Sequence, residues 1–115
     1  MSNATAIQPD DLLWYLKVNA RGMSKARSGK VVAAYFGIKE TKRVRETVNL
    51  LRQEGKLIGS CHEGYFIPDN REEALFAYGF ITALFEPLRR AVEGYRGAME
   101  REYGGPTLFD EQDVA

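Results

Sequence analysis

The alternation of apolar and polar positions predicts three short helices in the first half of the chain. Pro9 suits a first helical turn, and the apolar residues after it predict a helix to about Asn19. Ser28 can cap a second helix that Gly37 ends. A third helix is predicted from about residue 40 to residue 53. Three helices in this order indicate a small helical domain.

The third helix has two chemically different faces. At about 100° per residue, Val44, Val48 and Leu51 fall within one arc, so this arc is the predicted buried face. The opposite face carries three cations, an amide and one acid. Its members are Lys42, Arg45, Glu46, Asn49 and Arg52.

Strand-forming residues flank a glycine-rich stretch after the third helix. Residues 57–58 and 65–67 are apolar or aromatic, and residues 59–64 are small or polar. This pattern predicts a β-hairpin that Pro68 ends, because proline cannot donate to a β-ladder. The stretch between the predicted strands contains Cys61, His62 and Glu63, and His62 and Glu63 are its predicted tip.

A long fourth helix is predicted from a cap at Asp69 or Asn70 to about Tyr103. Its apolar residues repeat at spacings of four and three, which is typical of a coiled-coil seam. The seam consists of Tyr78, Ile81, Phe85, Leu88, Val92, Tyr95 and Met99. Pro87 lies beside it and is expected to kink or divide the helix. The seam predicts dimerisation, and packing of this helix over the first helix is the alternative.

The predicted fold class is therefore mainly α with a small β-hairpin, and four segments follow from it. Residues 1–8 are a disordered N-terminus or the remnant of a removed tag, since MSNA resembles such a remnant. Residues 9–68 form the domain, residues 69–103 the C-terminal helix and residues 104–115 a flexible tail.

The net charge of zero conceals an uneven distribution. Between Lys17 and Lys56, eleven basic side chains stand against three acidic ones, which gives this segment a charge of +8. A segment this basic favours a surface for a polyanion, although charged runs are often only solvated faces. The core is expected to take in Trp14 and the other aromatic residues of the apolar runs.

The composition offers little support for catalysis. One cysteine and one histidine are too few for a closed zinc site of four ligands. Neighbouring strand residues point to opposite faces, so His62 is poorly placed to activate Cys61 as a nucleophile. We therefore expect a protein that is not an enzyme, has no cofactor or metal and lies in the cytoplasm, because no signal peptide or membrane span is evident.

The order of these elements resembles a winged helix-turn-helix. The resemblance rests on VVAAYFGI for the second helix and its turn, and on RVRETVNLLRQEGKLIGSCHEGYFI for the third helix and the wing. It covers roughly residues 10 to 75 and is similar in particular to small bacterial and prophage proteins of this family. The resemblance implies double-stranded DNA binding, with the third helix in the major groove, in transcription control or replication initiation.

The resemblance also implies roles for individual residues. Candidates for contact with DNA bases are Thr41, Lys42, Arg45 and Asn49. Candidates for contact with phosphates are Lys25, Arg27, Lys30, Lys39, Arg43 and Arg52. A wing tip of His62 and Glu63 lacks the cation that many members of the family place in the minor groove, so specificity is expected to come from the third helix.

Two further interpretations involve protein partners. The basic surface or the heptad helix could dock a protein, with no role for DNA. In the tail, Leu108 and Phe109 resemble the end of the peptide by which many bacterial replication and repair proteins bind the sliding clamp. The glutamine that opens that peptide is replaced by Gly105.

Overall fold

The computed structural model describes residues 6–104, and within them the protein is mainly α-helical with one small antiparallel hairpin, as the sequence predicts. The elements are α1 (Pro9–Asn19), α2 (Gly29–Tyr35), α3 (Thr41–Gln53), β1 (Gly59–Cys61), β2 (Gly64–Phe66) and α4 (Arg71–Met99). A 3₁₀ turn at Met23–Lys25 precedes α2, and a π-helical turn at Glu100–Gly104 follows α4. This order and the hairpin are compatible with a winged helix.

Local side-chain and backbone bonds explain where α2 begins and ends. The Ser28 hydroxyl accepts a hydrogen bond of 3.1 Å from the Val31 amide, which caps the first turn. At the other end, Gly37 has φ +70°. The amides of Gly37 and Ile38 donate to the carbonyls of Ala34 and Ala33, so the chain leaves the helix in a Schellman turn and buries Ile38.

The hairpin is tighter than the sequence predicts. β1 begins at Gly59, which the sequence places in the turn, and only His62 and Glu63 lie between the strands. Gly59 serves close packing, since a Cβ there would lie 2.8 Å from Cζ of Phe66. The strand propensity of residues 57–58 is therefore misleading, because the pairing starts two residues later, where β1 fits against Phe66.

Arg27 lies beside the hairpin like a third strand. Its amide donates to the Tyr65 carbonyl at 2.9 Å, and its own carbonyl accepts from the Tyr65 amide at 2.8 Å. Gly64 makes this approach possible, because it has φ +135° and a Cβ there would lie only 2.1 Å from the Arg27 carbonyl oxygen. Within the segment predicted as a plain loop, residues 23–27, Met23–Lys25 form the 3₁₀ turn and Arg27 makes an isolated β-bridge to Tyr65.

One apolar core joins the first three helices to the hairpin. Its largest fully buried side chains are Phe66, Leu12, Leu16, Leu51, Val32, Val44 and Val48. The prediction that α3 buries Val44, Val48 and Leu51 is confirmed. The prediction that Trp14 lies in the core is wrong, because its side chain is 59% exposed while its neighbour Tyr15 takes the inward position.

The described residues form two compact units that divide between Ile81 and Thr82, within α4. In the first unit, Asn70 Oδ1 accepts from the Glu73 amide at 2.9 Å. Glu73 Oε1 in turn accepts from the amides of Asp69 and Met23, at 2.9 and 3.1 Å. This variant of the capping box, in which Glu73 accepts from the residue before the N-cap, fixes the start of α4 and also holds the 3₁₀ turn. Further along, α4 continues through Pro87 without division.

Candidate nucleic-acid interface

The four predicted base-contact residues share one exposed face of α3. Thr41, Lys42, Arg45 and Asn49 are all exposed, at spacings that place them together on a helix. Their orientation follows from the opposite face, where Val44 and Val48 are fully buried. Because the core fixes the rotation of α3 about its axis, the polar face can only point outward.

Some of the cations of α3 form ion pairs with acidic side chains of the same segment. Glu46 lies 4.0 Å from Lys42 Nζ and 3.9 Å from Arg43 Nη1, and Glu40 lies 3.6 Å from Arg43 Nε. These pairs are exposed, and such pairs contribute little to stability. Among the described residues, no ion pair involves Arg45.

The start of α2, the start of α3 and β2 converge beside this face. A Cβ on Gly29 would lie 3.6 Å from Cβ of Thr41 and 3.9 Å from Cε2 of Tyr65. Burial raises the pKa of the Tyr65 phenol, while the charges of Arg52 and Arg45 act to lower it. The half-buried Tyr65 ring is thus a neighbour of the exposed face, although its place in an apolar run indicates a core residue.

Four of the predicted phosphate-contact cations are exposed. Lys25 lies in the 3₁₀ turn, Lys30 in the first turn of α2, Lys39 before α3 and Arg43 on the flank of α3. Together with Lys42 and Arg45 they account for much of the basic segment. The charge asymmetry read from the sequence is therefore a surface property.

Two other predicted phosphate contacts, Arg27 and Arg52, donate to the chain itself. The Arg27 guanidinium donates twice to the Asn19 carbonyl oxygen at the end of α1, at 3.0 Å from Nε and 2.8 Å from Nη2. Arg52 donates to the carbonyl of Ile58 at 2.8 Å and to the Ser60 hydroxyl at 2.7 Å. Partial burial lowers the pKa of Arg52. Both guanidinium groups hold loops in place, which sequence spacing does not reveal.

The wing tip lies against α4 within the first unit. The imidazole of His62 contacts the ring of Phe80 edge-on, with centroids 5.3 Å apart. Beside it, a cleft of about 570 Å³ is lined by Met23, Ser24, Cys61, His62, Glu63, Glu73 and Phe76. The wing therefore packs against its own chain at the tip.

Cys61 is buried at the end of β1. Its Sγ donates to Glu63 Oε1 at 3.4 Å. Burial raises the pKa of Cys61, and the neighbouring carboxylate adds to this effect. A raised pKa opposes formation of the thiolate nucleophile. Within residues 6–104, no three histidine, cysteine or acidic side chains are arranged to hold a metal ion.

The seam of α4 is largely exposed. Tyr78 is 72% exposed in the first unit, and the four consecutive seam residues from Phe85 to Tyr95 are at least 58% exposed in the second. Ile81 and Met99 are half-buried. Leu108 and Phe109, the predicted clamp-binding residues, lie outside the described residues.

No protein-family model, curated protein or solved structure matches this chain. Separately, none of the helices within residues 6–104 combines the length and the apolar content needed to cross a membrane.

Proposed function

We propose that the chain is a double-stranded DNA-binding protein of the winged-helix type that lays α3 in the major groove. The role would be that of a bacterial or prophage transcription regulator or replication-initiation accessory protein. The observation that carries the proposal is the exposed polar face of α3, fixed by the core behind it, in a chain whose neighbouring segments carry further exposed cations. Basic side chains clustered along one face of a helix are typical of DNA-binding proteins.

Within this proposal each exposed residue has a chemical role. Arg45 and Lys42 can donate to O6 and N7 of guanine, and Asn49 can pair with N6 and N7 of adenine. Thr41, at the start of α3, contacts a base or sugar edge. Lys25, Lys30, Lys39 and Arg43 contact phosphates. Arg27 and Arg52 are left out of the contact set, because their guanidinium groups already donate within the chain.

The proposal includes a homodimer formed through the seam of α4. Two copies of α3 would then contact half-sites about one helical turn of DNA apart. Exposure of the seam residues supports this part of the proposal, since large apolar side chains in a row are usually covered by a partner.

Fluorescence anisotropy with labelled duplex DNA of mixed sequence tests the proposal over a series of salt concentrations. We expect binding at low salt that weakens steeply as salt rises, because phosphate contacts release counterions. The double variant Lys42→Glu/Arg45→Glu should lose binding while it keeps its far-ultraviolet circular dichroism. The matched control Arg90→Glu/Arg101→Glu makes the same change in net charge on α4 and in the π-helical turn, and should still bind. Absence of binding by the unmodified chain at low salt would refute the proposal.

The second candidate is a protein-interaction module that docks a partner through the heptad helix or the winged-helix surface without DNA. The exposed seam and the acids Glu40 and Glu46 among the cations of α3 favour it. A partner recovered equally by the chain and by its Lys42→Glu/Arg45→Glu variant, together with no affinity for DNA, would support this candidate over the first.

A further inference from the structure

The part of α4 in the second unit, from Thr82 to Met99, exposes an apolar face. The same face on a second copy of the chain is complementary to it. Phe85 is 58% exposed, Leu88 62%, Val92 60% and Tyr95 69%. Their spacing of three, four and three residues follows a heptad. Seam side chains with this spacing can interlock with an identical helix, because both helices present the same knobs and holes.

The seam residues of this face can be assigned to heptad positions. Phe85 and Val92 occupy a, and Leu88 and Tyr95 occupy d. The central pair, Leu at d followed by β-branched Val at a, is the combination that favours two strands among parallel coiled coils. Pro87 falls at c, outside the seam, so it does not interrupt the contact.

The two flanks of the seam differ in chemistry. The e positions hold Arg89 and Arg96, which pair with an acid of α4 and with an acid of the π-helical turn that follows it. Arg89 Nη1 lies 2.7 Å from Glu93, and Arg96 Nε lies 3.7 Å from Glu100. The g positions on the other flank carry no charge, and they are Leu84, Ala91 and Ala98.

This asymmetry distinguishes the two ways in which a second copy can pack. In a parallel pair each e residue faces a g residue, so the arginine stems cover leucine and alanine while the guanidinium groups stay paired in water. In an antiparallel pair e faces e, which brings arginine towards arginine on one flank. Like charges so placed disfavour the antiparallel arrangement.

We propose that residues 85–99 of α4 form a parallel, in-register, two-stranded coiled coil with a second copy of this chain. The proposal gives an orientation and a register to the homodimer of the preceding section and rests on that dimerisation, not on DNA binding. If the coiled coil is refuted, the anisotropy experiment still tests DNA binding independently.

Single cysteines report the arrangement directly, because Cys61 is the chain's one cysteine. In a full-length Cys61→Ala background, Leu88→Cys and Tyr95→Cys each place a thiol at d, one heptad and about 10 Å apart along the helix. Ala83→Cys is the matched control at f, on the outer face. Mild oxidation followed by non-reducing electrophoresis should give a covalent dimer with both d variants and almost none with the control.

Sedimentation equilibrium of the unmodified chain should give twice the mass of one chain. A monomeric mass, or a trimeric or tetrameric one, overturns the proposal. Crosslinking at only one of the two d positions also overturns it, because in an antiparallel pair only positions near the two-fold axis meet their own copies. Far-ultraviolet circular dichroism identifies a variant that fails to fold, and in that case Phe85→Cys and Val92→Cys, one heptad apart at a, replace the d pair.

Discussion

The imidazole of His62 stands edge-on to the phenyl ring of Phe80, with ring planes at 84°. His62 is one of only two residues in the wing turn, and Phe80 lies on α4 and stacks on Phe76 with centroids 6.4 Å apart. The tip of the wing therefore has a protein neighbour. Under the proposed function this leaves specificity to α3.

The variant His62→Ala is expected to lower the free energy of unfolding by about 0.5–1 kcal/mol, the range of an edge-to-face ring pair. The same variant should leave the Kd for duplex DNA unchanged, because the ring faces α4. Urea unfolding and anisotropy measure the two quantities. A loss of affinity with unchanged stability would place His62 on the DNA.

Arg52 should behave as a structural residue, although it belongs to the basic segment. Arg52→Ala leaves the carbonyl of the buried Ile58 and the Ser60 hydroxyl without their donor. We expect a loss of about 1–3 kcal/mol in urea unfolding. Arg52→Lys should recover only part of it, since one ammonium cannot reproduce two donors in a planar fork.

The exposed Arg45 supplies the control for that experiment. Arg45→Ala should change the free energy of unfolding by less than about 0.5 kcal/mol while it weakens DNA binding. Equal losses of stability for Arg52→Ala and Arg45→Ala would contradict the structural role of Arg52.

The sequence predicts the helices well because the signals for them are local. The cap at Ser28, the glycine at position 37 and the spacing of Val44 and Val48 depend on residues a few positions apart. The fold class and the buried face of α3 follow from them. Exposure of the predicted base-contact residues then follows from the buried face.

The parts that the sequence does not predict depend on distant contacts. The Arg27 guanidinium meets Asn19, eight residues away, and Arg52 meets Ser60, so neither looks different from an exposed cation in the sequence. Trp14 and Tyr15 sit in the same apolar run, but Tyr15 shares the buried face of α1 with Leu12 and Leu16, whereas Trp14 lies off that face and is exposed.

Replacing Gly64 and Gly79 by alanine should change the free energy of unfolding in opposite directions. Gly64→Ala places a Cβ 2.1 Å from the Arg27 carbonyl oxygen at a φ of +135°. The loss should exceed about 3 kcal/mol, because strain and a broken strand pairing act together. Gly79 lies within α4, and a Cβ there would meet no neighbouring side chain of the described residues within 4 Å, so Gly79→Ala should gain up to about 1 kcal/mol. Thermal unfolding followed by circular dichroism would test this, and similar melting temperatures for both variants would contradict it.

Alkaline pH should destabilise the fold through Cys61 and Tyr65. Burial raises the pKa of both groups in the folded chain. The unfolded chain therefore releases these protons first as the pH rises. The stability they contribute is complete below the ordinary pKa of each group and is lost as the pH rises through the folded values.

Urea midpoints measured from about pH 7 to about pH 10.5 should fall along this range. The double variant Cys61→Ala/Tyr65→Phe should flatten the upper part of the curve. Tyr103→Phe, which changes an exposed tyrosine outside the seam of α4, is the control and should leave the curve as it is. If the urea midpoints of the double variant fall as steeply with pH as those of the unmodified chain, the alkaline loss of stability comes from other groups.

Glu46 should oppose DNA binding from within the proposed contact face. Its carboxylate lies 4.0 Å from Lys42 and 3.9 Å from Arg43. Glu46→Gln removes a charge that repels phosphate and frees both cations to pair with DNA. An effect of about 1 kcal/mol, the size of one exposed ion pair, corresponds to roughly fivefold tighter binding at low salt.

The salt dependence shows how Glu46→Gln acts. If the gain comes from phosphate contacts, the slope of log Kd against log salt should steepen and the gain should be the same on unrelated duplexes. The opposite outcome, weaker binding confined to duplexes with cytosine at one position, would mean that Glu46 accepts a hydrogen bond from cytosine N4. Glu54→Gln, the same change of charge just beyond the end of α3, is the control and should leave both slope and affinity close to those of the unmodified chain.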